Sequence, residues 1–174
     1  MVPTLRFYIC LMLIGGGAMV VAQVDTVPRA VGALVLADLL LLLLTAIDYV
    51  RGKKQKITVQ RQPLGPLSIG RENPVTITLE NSGLTAIAKI KDDYPALFLA
   101  TDELKTAQIL PQGITQLSYQ VQPRQRGEYV WGKVNVRQLC PWQLTWQQWT
   151  VGEGETVTVH PDLIGLKSLT IRLA

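Results

Sequence analysis

The residues able to do chemistry are few and poorly grouped. His160 is the sole histidine of the chain. It stands on the face opposite Val157 and Val159, beside Pro161 and Asp162, and leaves no conventional Ser-His-Asp or His-rich zinc arrangement. Asp92 and Asp93 are adjacent. In a strand, neighbouring side chains point to opposite faces, so the two carboxylates cannot share a proton or a metal. Gly15-Gly16-Gly17 has the glycines of a phosphate loop, but no lysine, serine or threonine follows it. Cys10 and Cys140 have no metal-ligand spacing, and a disulfide between them is not expected, in keeping with a reducing compartment. Trp142, Trp146 and Trp149 crowd one stretch. On a single strand, Trp142, Leu144 and Trp146 share a face and Trp149 points the other way. Core packing with one interfacial tryptophan is the plain reading; the sharper one is an aromatic patch for a partner protein or a bilayer surface. No nucleophile–base pair and no ligand set emerges, so the expectation is a non-catalytic protein without cofactor or metal.

The elements behind these residues begin with Ala30 to Val50, mostly apolar and containing six consecutive leucines, Leu39 to Leu44. About twenty residues at 1.5 Å each span roughly 30 Å, the thickness of a bilayer's hydrocarbon core. A basic stop follows, Arg51-Gly52-Lys53-Lys54-Gln55-Lys56. Leu5 to Val24 is a second apolar segment with two readings. As a signal peptide it has a basic start and a small-residue site at Val20-Val21-Ala22. As a membrane helix it pairs with Ala30 to Val50 through Asp25-Thr26-Val27-Pro28-Arg29. The hairpin is favoured, because the run is long for a signal peptide and a second apolar segment follows at once. Ala18 with Ala22, and Ala33 with Ala37, have the small-residue spacing that lets helices approach closely.

Arg6, Arg51, Lys53, Lys54 and Lys56 flank one side of this hairpin and only Arg29 the other. The positive-inside rule then puts both termini in the cytoplasm, with the hairpin in the inner (cytoplasmic) membrane. In an antiparallel hairpin aligned at Val24 and Ala30, Arg6 lies level with Asp48, and an ion pair is expected there. The same alignment sets Asp38, near the midplane, opposite Gly16, where a neutral carboxyl group is expected to dock on the bare backbone; the alternative is that Asp38 faces another copy of the chain and the glycines only allow close helix packing. Much of the net charge of +4 sits in the cluster after Val50, where topology accounts for it. Arg124, Arg126, Lys133 and Arg137 form only a diffuse second group, so no nucleic-acid partner is expected.

After Lys56 the period changes to two. Val75, Ile77 and Leu79 alternate with Thr76, Thr78 and Glu80; Ala86, Ala88 and Ile90 with Ile87, Lys89 and Lys91. Leu117, Tyr119 and Val121, then Val134 and Val136, then Val157 and Val159, repeat the pattern. Turn residues separate these runs at Pro63 to Pro66, Asn81-Ser82-Gly83, Pro111-Gln112-Gly113, Arg126-Gly127 and Gly152-Glu153-Gly154. Ile57-Thr58-Val59 opens the region as an edge strand. Seven or so short strands with no helical window imply an all-β, immunoglobulin-like antiparallel sandwich. The expected organisation is a helical hairpin over 1–52, with helices at about 5–24 and 30–50, a sandwich over 53–165 and a tail over 166–174.

Several short stretches, in order, carry a resemblance. They are Arg61…Pro63, Leu67-Ser68-Ile69-Gly70, Val75 to Asn81, Asp92-Asp93-Tyr94-Pro95, Tyr119 to Pro123 running into Arg126-Gly127-Glu128-Tyr129, and Val159 to Leu163. With the paired helices they resemble the N-terminal half of the family called domain of unknown function 58. The resemblance implies a membrane hairpin with a β-sandwich, continuation into a von Willebrand factor A-like domain, and association with MoxR-type AAA+ ATPases. The signature region of the second domain does not occur before Ala174, so its metal site is not implied, and a truncated, split or short member is expected. Two departures stand out: Gln143, where the family often has glycine, and His160, where it usually has tyrosine.

These readings converge on a membrane-anchored interaction or scaffold module with its β domain in the cytoplasm. The alternative is an exported or periplasmic sandwich, tethered by the same hairpin and binding envelope components.

Overall fold

The computed structural model describes residues 1–24, 27–101 and 104–161. Two helices follow a short strand β1 (Val2–Pro3): α1 (Leu5–Val24) and α2 (Val27–Lys54). Thr4 caps α1, its hydroxyl 3.5 Å from the Phe7 amide, and Pro28 falls in the first turn of α2, where its missing N–H costs nothing. α2 runs past the expected ends, because nothing in Arg51-Gly52-Lys53-Lys54 breaks a helix and the cations of the last turn offset its dipole. Both helices are long and apolar enough to cross a membrane. Most of their large side chains, among them Leu36, Leu39, Leu40, Leu42 and Leu43, are exposed.

Eleven strands follow among the described residues: β2 (Thr58–Arg61), β3 (Leu67–Ser68), β4 (Asn73–Glu80), β5 (Ala86–Asp92), β6 (Phe98–Ala100) and β7 (Lys105–Ile109), then β8 (Ile114–Pro123), β9 (Gly127–Trp131), β10 (Val134–Leu139), β11 (Thr145–Val151) and β12 (Glu155–His160). The chain divides into two compact units. One holds Met1–Lys56 with Arg137–Gln148; the other holds Ile57–Val136 with the chain from Trp149 onward. The expected boundary after residue 52 therefore misses one segment, Arg137–Gln148, which belongs with the helices. The expected tail, 166–174, lies outside the described residues.

The second unit is a sandwich-like stack of β-sheets. One sheet has the order β2-β4-β8-β6, with Thr58 opposite Glu80, Glu80 opposite Ile114 and Asn73 opposite Val121. In another, β5 lies between β7 and β10. β12 pairs with β9 antiparallel but with β3 in parallel, Val159 opposite Leu67, so the expectation of a wholly antiparallel fold is corrected there. The alternation read from the sequence is the alternation of burial. Val75, Ile77 and Leu79 of β4, Ala86, Ala88 and Ile90 of β5, and Tyr119 and Val121 of β8 all meet in one core with Trp131, Val134, Val136, Val157 and Val159. Full burial of a side chain of Val or Leu size is worth about 1.5–3 kcal/mol.

Two close approaches shape the ends of this unit. Gly132, between β9 and β10, donates to the Asp93 carbonyl at 2.7 Å, and a Cβ there would collide with the Asp93 side chain. At the end of β4, buried Asn81 ties two loops together. Its side-chain amide nitrogen is shared among the carbonyls of Leu84 at 2.6 Å, Leu110 at 3.1 Å and Ile109 at 3.3 Å. Its oxygen accepts from the Gly83 amide at 3.0 Å, and its own backbone N–H donates to Gly113 at 3.0 Å.

Candidate functional site

The first constellation lies at the C-terminal end of α2. Asp48 is fully buried. Its carboxylate accepts from the backbone amides of Trp142 at 2.7 Å and Leu144 at 3.1 Å, charge-assisted bonds that fix the tip of the β10–β11 hairpin. The tip is a tight loop: Cys140 N–H donates to the Thr145 carbonyl and Gln143 N–H to the Cys140 carbonyl, both at 2.9 Å. Gln143 adopts a φ of 61°, a left-handed conformation that glycine adopts without strain.

Three further groups hold the same loop. Thr4 donates its hydroxyl to the Gln143 carbonyl at 2.6 Å and its N–H to Leu144 at 3.0 Å, while Val2 and Pro3 pair with Trp146 and Thr145. The Gln147 side chain donates to the Tyr49 carbonyl and that of Gln138 to the Gln55 carbonyl, each at 2.7 Å. Gly52 lets the helix come this close: a Cβ there would lie 2.7 Å from the Cys140 sulfur. Burial pushes the Cys140 thiol above its ordinary range, against a smaller opposing effect from Thr145.

This geometry corrects two expectations. Asp48 pairs with backbone amides and not with Arg6, which is exposed at the start of α1. A carboxylate facing two aligned N–H groups needs no distant guanidinium. Gly16 is exposed, and a Cβ there would meet nothing within 4 Å, so Asp38 does not dock on it. Asp38 is half-buried, with one carboxylate oxygen unpartnered among the described residues. Gly15, Ala18 and Ala22 line an apolar cleft of about 440 Å³ with Ala30 and Leu34.

The tryptophans do not form one patch. Trp142 sits in the loop before β11 begins, exposed, with the Arg51 guanidinium 5.2 Å from its ring. Trp146 is half-buried on β11. Trp149 belongs to the other unit, where it packs on the core.

The second constellation lies inside the sandwich-like unit. Arg61 of β2 donates to Asp92 of β5 at 2.8 Å and to the Gly132 carbonyl at 3.0 Å. Tyr119 of β8 donates to the other Asp92 oxygen at 2.6 Å. The ion pair is almost fully enclosed, its side chains 8% and 2% exposed, with Glu155 3.9 Å from Arg61 and the Trp131 ring 5.7 Å from the guanidinium. Burial, then the Asp92 charge, push the Tyr119 phenol far above its ordinary range, so it serves as a neutral donor. Beside Asp92 and Tyr119 lies a space of about 10 Å³, room for about one water, and a cleft of about 190 Å³ opens along Arg61 and Glu155. This cluster fastens β2, β5 and β8 together. Phase alone could have revealed it, since Arg61 is in register with Val59, and Asp92 with Ala88 and Ile90. His160 is exposed at the end of β12. Among the described residues no group of three or more His, Cys, Asp or Glu is placed to hold a metal ion.

No family model matches the chain, and no curated protein matches it. Among solved structures, it is similar to PapD-like domain 7 of human CEP192 at 15% identity and a TM-score of 0.46, over 62% of this chain and 87% of that one. It is also similar to a CARDB domain from Pyrococcus furiosus, solved with di-metal ions, at 14% identity and 0.38, over 61% and 89%. A third is SSP-19, an MSP-domain-like protein of Caenorhabditis elegans, at 14% and 0.37, over 57% and 98%.

Two stability predictions follow from the constellations. Asp48→Ala orphans two amides, at about 1–3 kcal/mol each, and should lower the unfolding midpoint of the full chain in detergent, whereas Arg6→Ala should be silent and uncoupled from it. A midpoint unchanged in Asp48→Ala, or clear coupling to Arg6, would contradict the clasp. Asp92→Ala leaves Arg61 and Tyr119 facing an empty site and should cost about 3–5 kcal/mol. Tyr119→Phe should cost about 1.5–3 kcal/mol, and the double variant should cost less than the sum, because both act through one carboxylate. Denaturant unfolding checks this; strict additivity would show that the two do not act together.

Proposed function

We propose that this chain is a membrane-anchored, non-catalytic β-sandwich that serves as an interaction or scaffold module, with its β domain on the cytoplasmic side of the inner membrane. The observation that carries this reading is the leucine-rich surface of α1 and α2. In a soluble protein's core helix these side chains would be covered, yet here they face outward along both helices. Exposure of that much apolar surface in water is strongly unfavourable, and a bilayer removes the penalty. The Arg51 to Lys56 cluster supports the orientation, and the Asp48 clasp gives the anchor a fixed hold on the β10–β11 hairpin tip. The resemblance to the domain of unknown function 58 family supports a MoxR-type AAA+ ATPase, or a protein with a von Willebrand factor A-like domain, as the partner class.

Reporter fusions after Lys56 test the orientation. A cytoplasmic reporter should be active and a periplasmic one silent, with the protein retained in membranes after alkaline carbonate washing. The reverse reporter pattern would favour the exported sandwich, and release by carbonate would overturn the anchor.

A further inference from the structure

β2 is the outermost strand of the β2-β4-β8-β6 sheet and pairs with β4 alone among the described residues. One bond sets which of its backbone groups are left over. The Gln62 N–H donates to the Thr76 carbonyl at 2.9 Å, and along an antiparallel ladder bonded residues alternate with unbonded ones. Gln60 and Thr58 therefore bond Thr78 and Glu80, their partners in register. Val59 and Arg61 turn their N–H and C=O groups the other way, which places two donors and two acceptors along the outer edge. Such an edge is a template for a further strand.

Beside this strand opens the cleft of about 190 Å³, lined by residues 59–61 together with Val134, Val151, Gly152, Glu153 and Glu155. All of them belong to the sandwich-like unit. Pockets that enclose a small molecule usually measure about 300–1,000 Å³, so this smaller cleft along a strand edge suits an extended chain better. The charged residues lining it are Arg61, Glu153 and Glu155. Arg61 is already matched by Asp92 at 2.8 Å, which leaves the lining acidic. The Arg61 Nη2 group lies 3.9 Å from Glu155, too far for a direct hydrogen bond, and is able to donate to a carbonyl that enters.

We infer that this cleft binds an extended segment of a partner protein, which adds as a strand beside β2 and sets a lysine or arginine against Glu153 and Glu155. Any extended chain supplies the backbone complement: its N–H groups meet the Val59 and Arg61 carbonyls, and its carbonyls meet their amides. The acidic lining supplies the selection, attracting a cationic segment and repelling an acidic one. The inference gives the interaction-module reading a site and rests on that reading. It does not depend on where the helices lie.

The test pans the full chain, in lipid nanodiscs, against a random hexapeptide library displayed on phage. A recovered peptide is synthesised and added at saturation while amide exchange is followed residue by residue. Recovered peptides should carry lysine or arginine. The Val59 and Arg61 amides should exchange at least about tenfold more slowly with peptide bound, and the Gln60 amide, already bonded to β4, should slow far less. Glu153→Gln and Glu155→Gln, the second keeping an acceptor for the Leu64 amide, should each weaken binding about twofold to fivefold. N-methylation of one alternate set of peptide amides should abolish binding, and of the other set should not. A recovered peptide that leaves the Val59 and Arg61 amides unchanged would overturn the inference and leave the module reading standing. Protection of those amides that grows with protein concentration, without peptide, would put a second copy in the cleft and would equally overturn it. Recovery of no peptide at all would remove the inference and the module reading together.

Discussion

The arrangement at the end of α2 depends on one carboxylate. Asp48 is buried at the point where an apolar helix gives way to a basic run, and it is tolerated there because two backbone amides, those of Trp142 and Leu144, point at it. A lone buried carboxylate would be costly, and two amides facing it without an acceptor would be costly too; each removes the other's penalty. The surrounding details serve this pairing. Gly52 removes the side chain that would block the approach, Gln143 takes a left-handed conformation to close the loop, and Thr4 both caps α1 and bonds the loop.

A similar logic governs the Arg61–Asp92–Tyr119 cluster. A buried ion pair seldom adds stability over well-packed apolar groups, but one that is fully hydrogen-bonded penalises any other register. Slipping β2, β5 or β8 by one residue would put the guanidinium, the carboxylate or the phenol on the wrong face. The cluster therefore helps to fix which strand faces which, and the apolar alternation supplies the bulk of the stabilisation.

The helices and the main strands were legible because their apolar periods are long and clean, as in Val75 to Leu79 or Ala86 to Ile90. The short strands Leu67–Ser68 and Phe98–Ala100 were not, since two or three residues cannot show a period. The tryptophan spacing suggests one strand from Trp142, but Pro141 to Leu144 folds as a loop and β11 begins at Thr145. The parallel pairing of β12 with β3 has no local signal at all. Charged residues deceived most: Asp48 and Arg6 share a depth, which suggested a pair, but a backbone amide leaves no mark in a sequence. Asp92 is in phase with Ala88 and Ile90, which points its carboxylate inward.

The most direct measurement of the central claim is amide hydrogen exchange of the full chain in lipid nanodiscs. If the hairpin lies in the bilayer and Asp48 grips the loop, the amides across Leu36 to Leu44 should barely exchange. Those of Trp142 and Leu144 should exchange far more slowly than the unbonded amides of an exposed turn. Fast exchange at Trp142 and Leu144 beside a protected helix would contradict the clasp, and fast exchange along Leu36 to Leu44 would contradict the membrane anchor.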